Sequence, residues 1–150
     1  MSKYQTIVVG TDGSDSALEA VRTAGSLAAA YGATLVIVCA HYSSTGSLLS
    51  SPNADASSIP VVSRSSAEEY LTEAQKAAEA EGAGKVRGHT LEGTPVEVLL
   101  AAIEEFDADL LVVGNRGVKS LTGRVFGNIP TGVVRKASVD VMLVNTSEVR

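Results

Sequence analysis

Five short apolar runs, separated by stretches with helical periodicity, limit the folds open to this chain more than any other feature. The runs are Tyr4 to Gly10, Thr34 to His41, Val86 to Leu91, Leu110 to Val113 and Val139 to Val144. Strands that alternate with helices build a parallel sheet, because each crossover places a helix on one face of the sheet. The second run is apolar almost throughout, which is typical of a strand covered on both faces. The sequence therefore predicts a single α/β domain, residues 1–150, with five strands.

Capping residues indicate where the helices begin. Ser14 or Asp15 can cap a first helix, and Thr94 followed by Pro95 can cap the third. Residues 65–69 offer two registers of a capping box for the second helix, and a fourth helix is predicted to end at Lys136.

Residues 43–65 are rich in serine, contain two prolines and show no period. We predict a long, flexible, exposed loop there, either a tolerated insertion or a lid or partner-docking segment.

Composition argues against several classes of protein. No apolar run approaches the length of a membrane-spanning helix, and the start of the chain lacks the apolar stretch of a signal peptide. Cys39 is the single cysteine, so no internal disulfide can form, which is typical of the reducing cytoplasm. The net charge of −5 argues against a general nucleic-acid binder. We therefore expect a cytoplasmic protein with neither a nucleic-acid partner nor a membrane partner.

A glycine-rich loop after the fourth strand indicates an anion site. The loop has the spacing Gly114-x2-Gly117-x9-Gly127 and carries three basic side chains, Arg116 among them. Glycine lets a backbone approach a ligand closely, and unpaired N–H groups at the start of the following helix favour a phosphate. The spacing differs from those of a P-loop and of a dinucleotide fold. In an open parallel sheet, ligands bind beyond the carboxyl ends of the strands, so Asp12 would face this loop if the first and fourth strands are neighbours.

This glycine spacing, together with Val-Gly-Thr-Asp-Gly-Ser at the end of the first strand, resembles the universal stress protein family. It is most similar to the members with the pattern G-x2-G-x9-G-[ST], which bind ATP. The resemblance covers nearly the whole chain, from the strand-end Asp12 to the terminal strand Val-Asp-Val-Met-Leu-Val. It implies an open, Rossmann-like sheet of the adenine nucleotide alpha hydrolase type, with strand order 3-2-1-4-5. It also implies an adenine-nucleotide site and a homodimer in which the fifth strands pair.

The resemblance further implies which residues contact the nucleotide. Gly10, Thr11 and Asp12 would lie near the base and ribose, with the backbone of Ala40 near adenine. The remaining contacts would line the ribose and phosphates: Val113, Gly114, Arg116, Gly117, Gly127, Asn128, Ile129 and Pro130. Asp12 cannot bind a phosphate directly, but it can accept a hydrogen bond from a ribose hydroxyl or hold a Mg²⁺ ion bound to the nucleotide.

One position departs from the family pattern. Asn128 stands where the family has serine or threonine after the last glycine, so an amide replaces a phosphate-binding hydroxyl. Asparagine still caps a helix well and its NH₂ group can donate to a phosphate. Its side chain is bulkier, however, and Pro130 removes one backbone donor from the first helical turn. ATP, cyclic AMP and the absence of a ligand therefore stay open as alternatives.

The leading hypothesis is a nucleotide-binding stress-response regulator that acts through its dimer. The sequence shows no Ser-His-Asp set at strand ends, no metal-ligand cluster and no P-loop lysine. Any ATP hydrolysis at Asp12 would therefore be weak. A weak ATP hydrolase or AMP-forming enzyme and a ligand-free dimeric scaffold are the alternatives. A phosphoacceptor receiver is largely rejected, because Asp12 has no acidic neighbour before Asp15 and Asn145 follows the fifth strand in place of lysine.

The fifth strand indicates a partner of its own kind. Val139, Val141, Leu143 and Val144 are too apolar for a bare sheet edge. Pairing with the fifth strand of a second subunit would cover them, so the sequence predicts a homodimer joined through this strand.

Overall fold

The computed structural model describes residues 3–41, 63–115 and 132–146. The strands are β1 (Thr6–Gly10), β2 (Thr34–His41), β3 (Lys85–Glu92), β4 (Leu110–Gly114) and β5 (Asp140–Val144). The helices are α1 (Asp15–Tyr31), α2 (Arg64–Ala80) and α3 (Pro95–Glu105), and residues 132–136 are also helical. Among these helices, none is long and apolar enough to cross a membrane.

The five strands form one parallel sheet in the order β3-β2-β1-β4-β5, which confirms the strand order 3-2-1-4-5. Val8 of β1 pairs with Val36 of β2 on one side and with Leu111 of β4 on the other. The chain winds outwards from β1 to β3 and then returns to the other side of β1. The winding direction therefore reverses between β1 and β4, and ligand crevices open at the carboxyl ends of strands beside such a reversal.

Two apolar cores lie on opposite faces of the sheet, because successive side chains of a strand point to opposite faces. Ile7 and Val9 of β1 belong to the core beneath α1 and α2, whereas Val8 belongs to the core beneath α3 and residues 132–136. All three side chains are completely buried. The continuous apolar runs of the sequence are therefore explained by central strands that bury both of their faces.

α1 and α2 approach each other through small residues. Ala24, Gly25 and Ala28 of α1 are buried, as are Ala74 and Ala78 of α2. A Cβ atom added to Gly25 would lie 3.0 Å from both the Cα and the carbonyl oxygen of Ala78. Any larger side chain at this position would therefore push the two helices apart.

The predicted caps of α1 and α3 are confirmed, and the predicted cap of α2 is wrong. Ser14 caps α1 and Thr94 caps α3. The cap of α2 is Ser63, whose hydroxyl oxygen accepts from the amide of Ser66, so this helix begins ahead of both registers predicted within residues 65–69. Several serines lie close together here and each can cap a helix, so the local pattern does not choose among them.

The other differences concern the ends of elements. β1 and β5 begin at Thr6 and Asp140, slightly later than the apolar runs predict, and β3 is longer, pairing with β2 along its whole length. Of the loop predicted at 43–65, the part up to residue 62 lies outside the described residues, and its last two residues belong to α2. The fourth predicted helix is seen at residues 132–136, and its predicted start lies outside the described part of the chain.

Replacing Thr94 by alanine is expected to lower the free energy of unfolding by about 1 kcal/mol. The substitution removes the hydroxyl oxygen that accepts from the Glu97 amide at 3.2 Å. The bond from the Thr94 amide to the Glu97 carboxylate, 3.1 Å long, uses a backbone donor that alanine retains. Urea unfolding measures the loss, and Thr94→Ser, which keeps the oxygen, serves as the control. Equal stability of the alanine and serine variants would contradict the capping role.

Candidate functional site

The turn between β1 and α1 stands at the carboxyl edge of the sheet and is held by its own side chains. The Thr11 amide donates to the carbonyl of Val38 at 2.9 Å, which extends the pairing of β1 with β2 by one residue. The Thr11 hydroxyl oxygen accepts from the Gly13 amide at 3.1 Å, and Asp12 Oδ1 accepts from the Ser14 amide at 2.9 Å. These bonds fix the direction in which the turn presents Asp12.

Asp12 is half-buried, and burial raises the pKa of its carboxyl above the ordinary value of 3.8. Hydrogen bonds from Ser14 and from the backbone oppose this shift without cancelling it. Placing a carboxylate here therefore costs stability, because partial desolvation is only partly offset by hydrogen bonds. A carboxylate that is destabilised by burial and lies at the carboxyl edge of an α/β sheet is a candidate binding residue.

Replacing Asp12 by asparagine is expected to raise the free energy of unfolding at pH 7, because burial disfavours the charged carboxylate. The amide oxygen can still accept from Ser14, and the charge that burial disfavours is gone. The pKa of Asp12 is higher in the folded than in the unfolded protein. The charged carboxylate therefore destabilises the folded protein at pH values above the folded pKa. This destabilisation is absent at pH values below the unfolded pKa of 3.8, where the carboxyl is protonated in both states. The difference between the variant and the wild type should therefore shrink from pH 7 to pH 3.5 in urea unfolding. A difference of the same size at both pH values would contradict the assignment.

Cys39 of β2 follows Val38, whose carbonyl accepts from the Thr11 amide of this turn. Burial raises the pKa of its thiol to about 12, and the negative charge of Asp12 adds to the shift. The side chain is completely enclosed and packs within the core beneath α1 and α2. Cys39 is thus a protonated core residue, as expected from its position in an apolar strand. The effect of the Asp12 charge on the pKa of the thiol indicates that the two side chains lie close together.

The end of β2 contributes backbone and small side chains to the same edge. Ala40 is half-buried and pairs with Leu91 of β3, and the carbonyl of His41 accepts from the Gly93 amide at 3.0 Å. Ala40 lies two residues beyond Val38, the residue that pairs with Gly10. The structure therefore brings Ala40 to the same sheet edge as the turn that carries Asp12.

The end of β4 is packed against α1 and against the segment that follows β5. A Cβ atom added to Gly114 would lie 3.2 Å from Cγ2 of Thr146, 3.6 Å from Cβ of Ala20 and 3.7 Å from the carbonyl oxygen of Ser16. A side chain at Gly114 would therefore press on Thr146, so protein packing favours glycine here. The sequence predicted a glycine here only for close approach to a ligand, whereas this packing does not depend on a ligand.

Asn115 and Thr146, which sequence reasoning did not select, join the start of the glycine loop to the end of the sheet. The Asn115 amide donates to the Val144 carbonyl at 2.9 Å, and Asn115 Oδ1 accepts from the Thr146 amide at 3.0 Å and from its hydroxyl at 3.1 Å. Thr146 is almost fully buried. Because 31 residues separate the two, no local pattern could have indicated this pair.

The described residues contain only part of the predicted nucleotide site. Gly10, Thr11, Asp12, Ala40, Val113 and Gly114 lie at the carboxyl ends of β1, β2 and β4. The rest of the predicted site lies outside the described residues: Arg116, Gly117, Gly127, Asn128, Ile129 and Pro130. Those contacts stay predictions. Within the described ranges, no group of three or more His, Cys, Asp or Glu side chains could hold a metal ion.

β5 forms one edge of the sheet, since it is the last strand in the order. Leu143 is 51% exposed on this strand. Val139, just before the strand, and Val141 pack partly against one core, and Val144 packs partly against the other. Of the four residues predicted to meet a second subunit, Leu143 is therefore the one that offers a large exposed apolar surface.

Comparison of the sequence with known proteins gives a consistent result. The chain matches the Universal stress protein family over residues 3–145. A universal stress protein of Mycobacterium tuberculosis is 39% identical over 147 residues, which cover 98% of this chain and 100% of the relative. A universal stress protein of Methanocaldococcus jannaschii is 32% identical, and the match covers 94% of this chain and 82% of the relative.

Solved structures agree with the sequence comparison. A universal stress protein crystallised in complex with cAMP matches with a TM-score of 0.74 and 39% identity, covering 97% of this chain and 99% of the other. A universal stress protein from Archaeoglobus fulgidus in complex with dAMP matches with a TM-score of 0.70 and 25% identity, covering 94% of this chain and 98% of the other. The chain therefore belongs to the universal stress protein family.

Proposed function

We propose that this protein binds an adenine nucleotide at the carboxyl edge between β1 and β4 and acts as a cytoplasmic stress-response regulator through a homodimer. The observation that carries the proposal is the half-buried Asp12, which burial disfavours and which the β1–α1 turn holds in place by hydrogen bonds. Its carboxylate can accept a hydrogen bond from a ribose hydroxyl or from the adenine amino group. The relatives with bound cAMP and dAMP support an adenine nucleotide as the ligand.

The two ligands of the relatives share adenine and one phosphate, and each keeps one free ribose hydroxyl. Cyclic AMP has a free 2′-hydroxyl and dAMP has a free 3′-hydroxyl. A carboxylate at the ribose end of the site suits both, because it can accept from either hydroxyl. Calorimetry decides how many phosphates the proposed site accepts, since its relatives' ligands each carry one.

Mass spectrometry of the nucleotide released from freshly purified, denatured protein tests the proposal first. Calorimetric titration of the emptied protein with cyclic AMP, AMP and ATP, each with and without Mg²⁺, then ranks the ligands. We expect binding of at least one of them. The absence of released nucleotide together with the absence of heat for all three would overturn the proposal in favour of a ligand-free scaffold. Phosphate release from ATP that disappears in Asp12→Ala would instead support the hydrolase alternative.

We propose that the homodimer forms through β5. The strand is an edge whose exposed Leu143 would be covered by pairing with a second copy. Replacing Leu143 by aspartate should give a monomer by light scattering at micromolar concentration, because a charge would be buried at the interface. Val134 has the same exposed fraction, 51%, but lies in the helical residues 132–136, so Val134→Asp is the matched control. A wild-type monomer, or dimers of both variants, would contradict this interface.

A further inference from the structure

An aromatic ring from α2 lies against the turn that carries Asp12. A Cβ atom added to Gly13 would lie 2.7 Å from Cδ1, 2.7 Å from Cε1 and 2.8 Å from Cγ of Tyr70. These three atoms follow one another in the ring, and nearly equal distances to them mean that Gly13 lies over the face of the ring. An approach to the ring edge would bring one of the three atoms much nearer than the others. The ring of Tyr70 therefore covers the turn at Gly13.

Gly13 is the residue of the turn with the greatest conformational freedom. Its φ angle of +85° lies in the left-handed region that glycine occupies without strain. The hydrogen bonds of the turn involve Thr11, Asp12 and the backbone of the two residues that follow. A ring packed on Gly13 restricts the alternative conformations that a glycine would otherwise sample. Tyr70 thus limits the motion of the peptide units on which the direction of Asp12 depends.

We infer that Tyr70 is a positioning residue for nucleotide binding, which holds the β1–α1 turn in the geometry that presents Asp12 to the ligand. The inference rests on the proposed function of this site. Tyr70 acts through its ring, since the atoms that lie against Gly13 are ring carbons. The turn would otherwise have to be ordered at the moment of binding, which lowers affinity.

Calorimetric titration with cyclic AMP compares the wild type with Tyr70→Ala and Tyr70→Phe. We expect the alanine variant to bind about tenfold more weakly, since binding must then order the turn. We expect the phenylalanine variant, which keeps the ring, to bind like the wild type. Wild-type affinity of Tyr70→Ala, or an equal loss in Tyr70→Phe, would overturn the inference.

A control on the same helix separates positioning from general loss of stability. Leu71 is buried on α2 and packs on β3, where its Cβ lies 3.5 Å from a Cβ atom added to Gly88. Leu71→Ala should destabilise the protein at least as much as Tyr70→Ala but leave the affinity for cyclic AMP unchanged at temperatures where both variants are folded. An equal loss of affinity in both variants would show that Tyr70 has only a structural role.

Hydrogen exchange of the Ser14 amide provides a readout that needs no ligand. This amide donates to Asp12 Oδ1, so its exchange reports how often the turn opens. We expect faster exchange in Tyr70→Ala and unchanged exchange in Tyr70→Phe and Leu71→Ala. If the wild type does not bind any adenine nucleotide, the proposed function fails, and this measurement still decides whether Tyr70 holds the turn. Unchanged exchange in Tyr70→Ala would overturn that role.

Discussion

Replacing Gly25 by leucine is expected to destabilise the protein by about 3 kcal/mol, at the upper end of the usual cost of overpacking a core. A single Cβ atom at Gly25 would already lie 3.0 Å from the backbone of Ala78 on α2. Backbone atoms cannot rotate away as a flexible side chain can, so the helices themselves must separate. That separation would open the core beneath α1 and α2, which includes Ala74 and Ala78. The loss of dispersion contacts along both helices adds to the cost.

The matched control for Gly25→Leu is Gly84→Leu. Nothing lies within 4 Å of a Cβ atom added to Gly84, and its φ angle is not positive. We expect this variant to change the free energy of unfolding by less than about 0.5 kcal/mol, as is usual at exposed sites. Thermal and urea unfolding of both variants measure the difference. Similar stabilities for the two leucine variants would show that α1 and α2 have room to move, and would contradict the close packing described above.

Replacing Asp12 by alanine is expected to weaken binding of cyclic AMP by roughly 10- to 100-fold, since a hydrogen bond to a charged group contributes about 1.5–3 kcal/mol. We expect this loss of affinity because the Asp12 carboxylate accepts a hydrogen bond from a ribose hydroxyl in the proposed site. The opposite result is equally informative. If the carboxylate only faced an anionic ligand without a hydrogen bond, its removal would relieve repulsion and strengthen binding.

Two controls isolate the contribution of Asp12 to binding. Asp15 is exposed in the first turn of α1, so Asp15→Ala changes the net charge equally and should leave the affinity nearly unchanged. A 2′-deoxy analogue of cyclic AMP lacks the hydroxyl group proposed to donate to Asp12. The wild type should bind this analogue more weakly than it binds cyclic AMP. The Asp12→Ala variant should bind the two ligands with equal affinity. The same loss for both ligands on substitution of Asp12 would contradict a bond to that hydroxyl.

The fold was predictable because its signals are local and repeated. Each central strand is an apolar run, and the caps at Ser14 and Thr94 depend on residues within three positions. The cap of α2 was not predictable from the same signal, because Ser63 competes with the serines that follow it. The full length of β3 was also missed, since an edge strand with half-exposed residues shows a weaker apolar pattern than a central one.

For the candidate site, the sequence could predict only which residues lie at strand ends. Asp12 could be placed at the carboxyl edge from the sequence, because it directly follows β1 in a parallel sheet. Its support could not be predicted. Tyr70 reaches the turn from another helix, and Thr146 reaches Asn115 from beyond β5, across contacts that no periodicity records.

The bonds between Asn115 and Thr146 extend the packed structure beyond the end of β5. A chain cut after Val144 would keep all five strands and both apolar cores. It would leave the side-chain oxygen of Asn115, at the entry to the glycine loop, without the two donors that Thr146 supplies. Secondary structure alone therefore leaves out Thr146, although its bonds hold the end of β4. Truncated variants and fusions meant to preserve binding should retain the chain through Thr146.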